Sequence, residues 1–250
     1  MNKMNYNSLP EEFIDLYTRA LDTSLSLGSL SVEGYKLSGG YMTTQKTMNQ
    51  YLALQYAKEL IDPSKNEDRF YKYDLSDGTI DIAKLLSDEQ IVDFRKIGIV
   101  VTGSKVERSP AYMINTHMVD AFDNYLYTLN DLNIKKDSID DDEYEEKFFE
   151  NEARLHIRLL HIHPFEDYNG RTMRTILTVN LLKNGYAPVI ISPENKKEYI
   201  SYIENDDIFG FRDFLRSESE KEEINMMELY EDFKKKEELL SKKVKRLKIS

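Results

Sequence analysis

The chain has 250 residues, 40% of them hydrophobic, a formal charge of −11 and no cysteine. That length and composition suit one large domain, or a core with small extensions, and exclude wholesale disorder. The acidic balance argues against general nucleic-acid binding, which needs a basic face, while the missing thiols exclude disulfides, thiolate catalysis and zinc–thiolate sites.

The N-terminal stretch MNKMNYNSLPEEFIDLY has no apolar signal-peptide core, and no apolar run approaches the ~20 residues of a membrane span. The chain therefore reads as soluble and cytoplasmic, with no membrane partner. Pro10 followed by Glu11 and Glu12 marks a helix start, because acidic residues in a first turn suit the helix dipole. Phe13, Leu16, Tyr17, Ala20 and Leu21 then recur at helical spacing. Gly28 is expected to end that helix, and Ser29 to cap a short second one reaching Gly34. Residues 36–44, KLSGGYMTT, read as a loop with Thr43 or Thr44 as a cap. Residues 45–61 read as helix, and 62–78, broken by Pro63 and Gly78, as a loop or insertion. Residues 79–94 supply one or two short helices.

The texture changes at KIGIVVTGSKVERSPAY. Ile97, Ile99, Val100 and Val101 are β-branched, TGS is turn-like, and Lys105 to Glu107 precede Pro110, so a β-hairpin is expected. Residues 113–132 are helical in pattern, and 135–146 are an acidic loop or a helix start. FFENEARLHIRLLHI (148–162) lacks Gly and Pro and predicts a buried helix, which Pro164 stops at His163 by biasing that residue away from the helical region. Phe165 is expected to pack inward and anchor the loop. The next helix starts near Gly170 and carries Met173, Ile176, Leu177, Asn180 and Leu181 on one face, with Gly185 and Pro188 as stop signals. The tail from Glu218 is charged on nearly every face around a thin stripe of Met226, Met227, Leu229, Phe233 and Leu239, as a solvated terminal helix would be.

The chemistry concentrates between the two central helices. HPFEDYNG is a short loop entering a helix N-terminus, where free N–H groups and the dipole make an anion site. Arg171 and Arg174 share a face of that first turn. Cations there are unfavourable by ~0.3–1 kcal/mol each, so a polyanion such as a polyphosphate is the expected occupant. Asp167 then suits Mg²⁺, which is held by one or two carboxylates plus phosphate oxygens. His163 is the general-base candidate, with an ordinary pKa near ~6.5. His156 and His161 are read as packed helix residues rather than metal ligands, since their directions on the helix diverge.

His163 to Arg174 resemble the signature of the Fic family, His-Pro-Phe-x-Asp/Glu-Gly-Asn-Gly-Arg-x-x-Arg, departing only at Tyr168, where the family has glycine. The resemblance extends over roughly residues 91–216, through the hairpin, LLKNGYAPVII and YISYIENDD, where Tyr199 and Asn205 look like nucleotide-pocket positions. SLSVEG, with Ser29, Glu33 and Gly34, resembles the inhibitory motif of the class in which that helix precedes the core. The resemblance implies a mainly α, Fic-type helical bundle with one small β-hairpin flap. It divides into an N-terminal helical region 1–90, a catalytic core 91–216 and a charged C-terminal helix 217–250.

The activity implied is protein adenylylation, the transfer of AMP from ATP to a Ser, Thr or Tyr hydroxyl of a protein, with self-modification and a homodimer left open. His163 would deprotonate the hydroxyl and Asp167 would hold Mg²⁺. Asn169, Gly170 and Arg171 would cradle phosphate oxygens, and Arg174 would hold the γ-phosphate unless a bidentate pair with Glu33 blocks it. The hairpin would align the target by strand addition. Relatives that move UMP, phosphocholine or a terminal phosphate, or that remove AMP, give alternatives, as does a nucleotide-binding pseudoenzyme. Tyrosine at 168 requires a negative φ or tolerated strain, and its ring offers a cover for the nucleotide.

Overall fold

The structure is a computed structural model that describes residues 9–33, 41–60, 75–91 and 93–247. Its helices are α1 Glu11–Val32, α2 Tyr41–Leu60, α3 Leu75–Ser87, α4 Ile114–Ile134, α5 Asp141–Ile162, α6 Asn169–Lys183, α7 Lys196–Glu204 and α8 Ile208–Leu247, with 3-10 turns at Ala111–Met113 and Lys136–Ser138. No described helix is long and apolar enough to cross a membrane.

α5 is the central element and packs against α4, α6 and α8. Phe148, Phe149, Ala153, Ile157, Leu159 and Ile162 are fully or almost fully buried, each large side chain contributing ~1.5–3 kcal/mol of burial. Its start resolves the ambiguous acidic stretch. Asp140 accepts a hydrogen bond from the Glu143 N–H at 2.8 Å, and Asp141, Asp142 and Glu143 fill the first turn, where carboxylates complement the dipole.

A second cluster joins Phe13, Tyr17, Leu21 and Leu25 of α1 to Ala53, Leu54 and Ala57 of α2, Ile82 and Leu86 of α3, Val179 of α6 and Met226 of α8. The Phe13 ring lies 4.9 Å from that of Tyr230 and 5.6 Å from that of Phe233. Leu16, expected on this stripe, is 59% exposed. The buried face follows a spacing of four residues from Phe13, and Leu16 falls off it.

Several boundaries differ from expectation. α1 does not end at Gly28 but runs through it to Val32. A Cβ at Gly28 would stand 3.0 Å from Ile190 Cγ2 and 3.3 Å from the Ile191 carbonyl. The glycine is therefore a close-approach residue inside a helix, and Ser29 is a helical residue rather than a cap. α2 already begins at Tyr41, ahead of Thr43 and Thr44, and α3 begins at Leu75, enclosing Gly78. Gly34 and most of the predicted insertion lie outside the described residues.

Among the described residues there is no strand. The flap, residues 96–110, keeps the expected turn, closed by the Ser104 N–H donating to the Val101 carbonyl at 3.0 Å, with Gly103 at φ +83°. Its flanks form no ladder. β-Branched residues favour extension, but a ladder also needs a partner edge, and Val100 is 93% exposed. At the other end, the division expected after residue 216 falls inside α8, a single helix of 40 residues. Met226 is buried against α1, whereas Leu229 and Leu239 stay exposed.

Candidate active site

α5 ends at His163, whose N–H still donates to the Leu159 carbonyl at 3.1 Å while its own φ turns to +53°. The loop that follows is held from inside. Phe165 is fully buried, its ring 5.6 Å from that of Phe94. The Asn169 side chain clamps it at both ends: Nδ2 donates to the Phe165 carbonyl at 2.8 Å, and Oδ1 accepts the Phe165 N–H at 2.9 Å. This side chain closes the loop and does not face a ligand, so only the Asn169 backbone is left for the phosphate-cradling role expected of it.

Arg95, which sequence reasoning missed, ties the loop to the flap. Its guanidinium donates to the carbonyls of His163 at 2.7 Å, Ile162 at 3.3 Å, Ile97 at 2.6 Å and Ser109 at 2.5 Å, and its N–H donates to the Pro164 carbonyl at 2.9 Å. A cation at the C-terminus of α5 meets carbonyls that no helical N–H can satisfy, and here it also fixes both ends of the flap. Nothing in the sequence marks Arg95, because every acceptor is backbone.

Burial pushes the His163 imidazole down to about 4, with Arg108 and Arg95 acting in the same direction and the Leu160 backbone bond and Asp167 opposing. The ring is therefore neutral at pH 7, further from its ordinary value than expected, with a lone pair available for a proton. His156 is also pushed down, to about 3, chiefly by burial. It is hydrogen-bonded to the Tyr199 hydroxyl at 2.8 Å, and His161 to the Ile203 carbonyl at 2.8 Å.

The N-terminus of α6 carries the anion chemistry. Its first residue is preceded by Tyr168 at φ +69°, with no side-chain cap. The required conformation is thus the strained one that glycine adopts freely, at a cost of ~1–2 kcal/mol for an L-residue. The tyrosine ring does not cover the cleft. It stacks on Arg171, whose guanidinium carbon lies 4.0 Å from the ring centroid. Arg171 is buried and lies outside the lining of the cleft.

Arg174, also buried, donates from Nε to Ser29 Oγ at 3.1 Å and from Nη2 to the Ser29 carbonyl at 3.0 Å and to Glu33 Oε1 at 2.6 Å. The carboxylate contact runs through one oxygen rather than the expected bidentate pair. That same oxygen lies 2.7 Å from where a Gly170 Cβ would stand. A side chain at 170 would press on it, so Arg174 holds a carboxylate of the same chain close against Gly170 at the helix N-terminus.

A cleft of about 360 Å³ opens beside this pair, lined by His163, Gly170, Arg174, Glu33 and Tyr199 on one side and by the flap turn, Arg108 and Glu204 on the other. Asn205 is not brought in. It stands at the end of α7 with Nδ2 on the Ser201 carbonyl at 2.8 Å. Glu204, its neighbour, is the residue that faces the cleft. Its Oε2 accepts from Ser104 Oγ at 2.7 Å and the Lys105 N–H at 3.0 Å, and its Oε1 from Arg108 Nη2 at 3.3 Å. Lys196, at the start of α7, also lines the cleft.

Asp167 is exposed at the loop edge, with Oδ1 accepting the Tyr168 N–H at 2.6 Å. No group of three His, Asp or Glu side chains able to hold a metal occurs among the described residues. That fits an ion held by one carboxylate and by phosphate oxygens of a ligand rather than by a protein cage.

Comparison with known proteins agrees with this geometry. Residues 78–181 match the Fic/DOC family. A protein of Aedes aegypti called "Protein adenylyltransferase Fic" is 41% identical over 64 residues, which are 26% of this chain and 13% of that protein. Among solved structures, a Fic domain containing signaling protein from Bacteroides thetaiotaomicron VPI-5482 superposes with a TM-score of 0.71 at 16% identity, over 91% of this chain and 94% of that one. Fic-1 from C. elegans gives 0.67 at 19% identity, over 93% and 69%. The resemblance read from the motif thus holds by sequence across residues 78–181, and the fold is that of Fic-domain proteins. The match spans only a small part of the curated relative's length.

Proposed function

We propose that this Fic-type chain is a protein adenylyltransferase, moving AMP from ATP to a Ser, Thr or Tyr hydroxyl of a protein and held back by Glu33. The observation that carries the reading is the order of groups along residues 163–174: a neutral imidazole, a helix N-terminus and a buried arginine line one cleft, and the exposed Asp167 carboxylate stands in the loop between the first two. The curated relatives that match the chain are named for this activity.

In this reading the polyphosphate lies over the N-terminus of α6. The backbone N–H groups at Asn169 and Gly170 face it, and Arg174 binds the γ-phosphate once released from Glu33. Asp167 would hold Mg²⁺, which when bound offsets phosphate charge. His163 Nε2 or Nδ1 takes the hydroxyl proton, the target oxygen bonds to the α-phosphorus, and the bond to the β-phosphate oxygen breaks to release pyrophosphate. An imidazole near 4 is a weak base, but the approaching phosphate anion raises it towards neutrality. The flap, fixed at its ends by Arg95, offers the exposed edge Ile97–Val101 to the target, which would supply the missing strand of the hairpin.

A nucleotide-binding regulator is the second reading, favoured by Arg171 being stacked on Tyr168 instead of facing the cleft. ATP labelled separately at the α- and γ-phosphates decides. α-Label on protein is expected, γ-label means phosphate transfer, and binding without label on protein means a regulator.

A further inference from the structure

We propose that one buried water sits at the junction of α1, α2 and α6, behind Arg174, and forms part of the seat of the helix that carries Glu33. A small cavity of about 20 Å³ lies there, lined by Ser26 and Ser29 of α1, Gln50 of α2 and Arg174, Thr175 and Thr178 of α6, with an apolar wall from Val189 to Ile191. Ser26 is 1% and Gln50 4% exposed. Ser26 Oγ and Gln50 Oε1 have no hydrogen-bond partner among the described residues. A cavity of ~10–15 Å³ or more that offers two to four polar partners is enough to hold one water.

The orientation of Gln50 is fixed by its neighbour. Thr175 Oγ1 donates to the Arg171 carbonyl at 3.0 Å, so its proton is committed, and it accepts from Gln50 Nε2 at 2.9 Å. Turning the amide over would set two acceptors against each other. Oε1 is thereby left as a buried acceptor, and the Ser26 hydroxyl, which can donate and accept, faces the same space. One water satisfies both, with Thr178 as a third hydroxyl on the wall. A second ligand class is excluded by size.

The location gives the water a consequence. Ser29, one turn along α1 from Ser26, and Arg174 line the same cavity, and they are bonded to each other through Oγ and the backbone carbonyl. The water links the body of α1 to α2 and α6 immediately behind that contact. Its effect on activity rests on the reading of Glu33 as a brake. Its presence and its effect on stability do not.

The test has two arms. A crystal structure of the full chain should contain density within hydrogen-bond distance of both Ser26 Oγ and Gln50 Oε1. A dry cavity, with Ser26 turned to the Asp22 carbonyl of its own helix, would overturn the proposal. Thermal unfolding of Ser26→Ala, Gln50→Met and the double variant forms a cycle. Each single change strands the other partner and should lower Tm by about 2–4 °C. The double should lose less than the sum, and strict additivity would refute a shared water. Should Gln50→Met fail to fold, the density and Ser26→Ala decide. Ser26→Ala is also expected to raise basal AMP transfer, and not in a Glu33→Gly background. Density and non-additivity without transfer in any variant would leave the water standing and sink the adenylyltransferase reading.

Discussion

The two walls of the cleft are built in opposite ways. On one side, α1 is buried along its length: Phe13, Tyr17 and Leu21 are 2–3% exposed and Leu30 is fully covered. Asp22 is paired with Lys58 at 2.5 Å and Tyr17 with Glu222 at 2.7 Å. On the other side, the flap has no strand partner among the described residues, and side chains hold it from behind: Arg95 at its ends and Glu204 at its turn. The wall that carries Glu33 is thus part of the core, so if that carboxylate is the proposed brake, its relief is expected to act on the last turn, Leu30 to Glu33. The flap is an unladdered segment among the described residues, with the Ile97 and Val101 carbonyls already taken by Arg95 and the Ser104 N–H. Position in the fold, rather than residue type, separates a part that must stay from a part that must adapt.

Substitutions at five positions can break or sharpen that contrast. His163 lines the cleft without belonging to α1 or the flap, and His163→Ala should have the largest effect, a ~10²–10⁴-fold loss of transfer with ATP affinity nearly unchanged. Transfer at the parental rate would remove His163 as the base. Next comes the buried wall. Glu33→Gly should raise transfer by roughly 5- to 150-fold, the usual range of a coupling between two sites, visible first as self-modification. Adding Arg174→Ala should cancel the gain, because both act through one contact. If Glu33→Gly changes nothing, that wall is structural only.

On the edge wall, Glu204→Gln weakens the acceptor that pins the flap turn. A rise of about 3- to 10-fold in KM for the protein target is expected, at unchanged kcat and ATP affinity. A gain in transfer like that of Glu33→Gly would mean that both walls are brakes. The smallest effect is expected at Tyr168→Gly, between the walls. Relief of the left-handed φ and loss of the Arg171 stack oppose each other at ~1 kcal/mol each, so Tm should move by no more than about 2–4 °C, with transfer equal to the parent or higher. A folded variant that binds ATP but no longer transfers would make the tyrosine a working part of the site.

The loop and its flanking helices were legible because their signals are local. Pro164 acts on the residue before it, and the apolar faces of α5 and α6 repeat within one helix, whereas the start of α5 at its Asp140 cap was left ambiguous. What was not legible depends on distant partners. Gly28 carries the same signal as a helix stop, and only the approach of Ile190 and Ile191 explains it as a residue inside a helix. The β-branched run at 97–101 encodes extension, but not whether an edge exists to receive it. Asn169 matches the motif equally well whether its side chain faces a ligand or closes the loop onto Phe165. Arg95 was missed because all its acceptors are backbone carbonyls, which leave no pattern of complementary residue types, and Glu204 because its partners Ser104, Lys105 and Arg108 lie about a hundred residues away.

The packing of α1 on α8 also has a consequence for synthesis. Phe13 finds Tyr230 and Phe233, and Tyr17 finds Glu222, so contacts of the first helix close only when the last has been made. At typical translation rates of about 5–20 residues per second, the ribosome needs on the order of 10–40 s to travel from one to the other. In the last part of that interval the loop from His163 to Arg174 has been made, while the helix that leads to Glu33 still lacks the packing that α8 supplies.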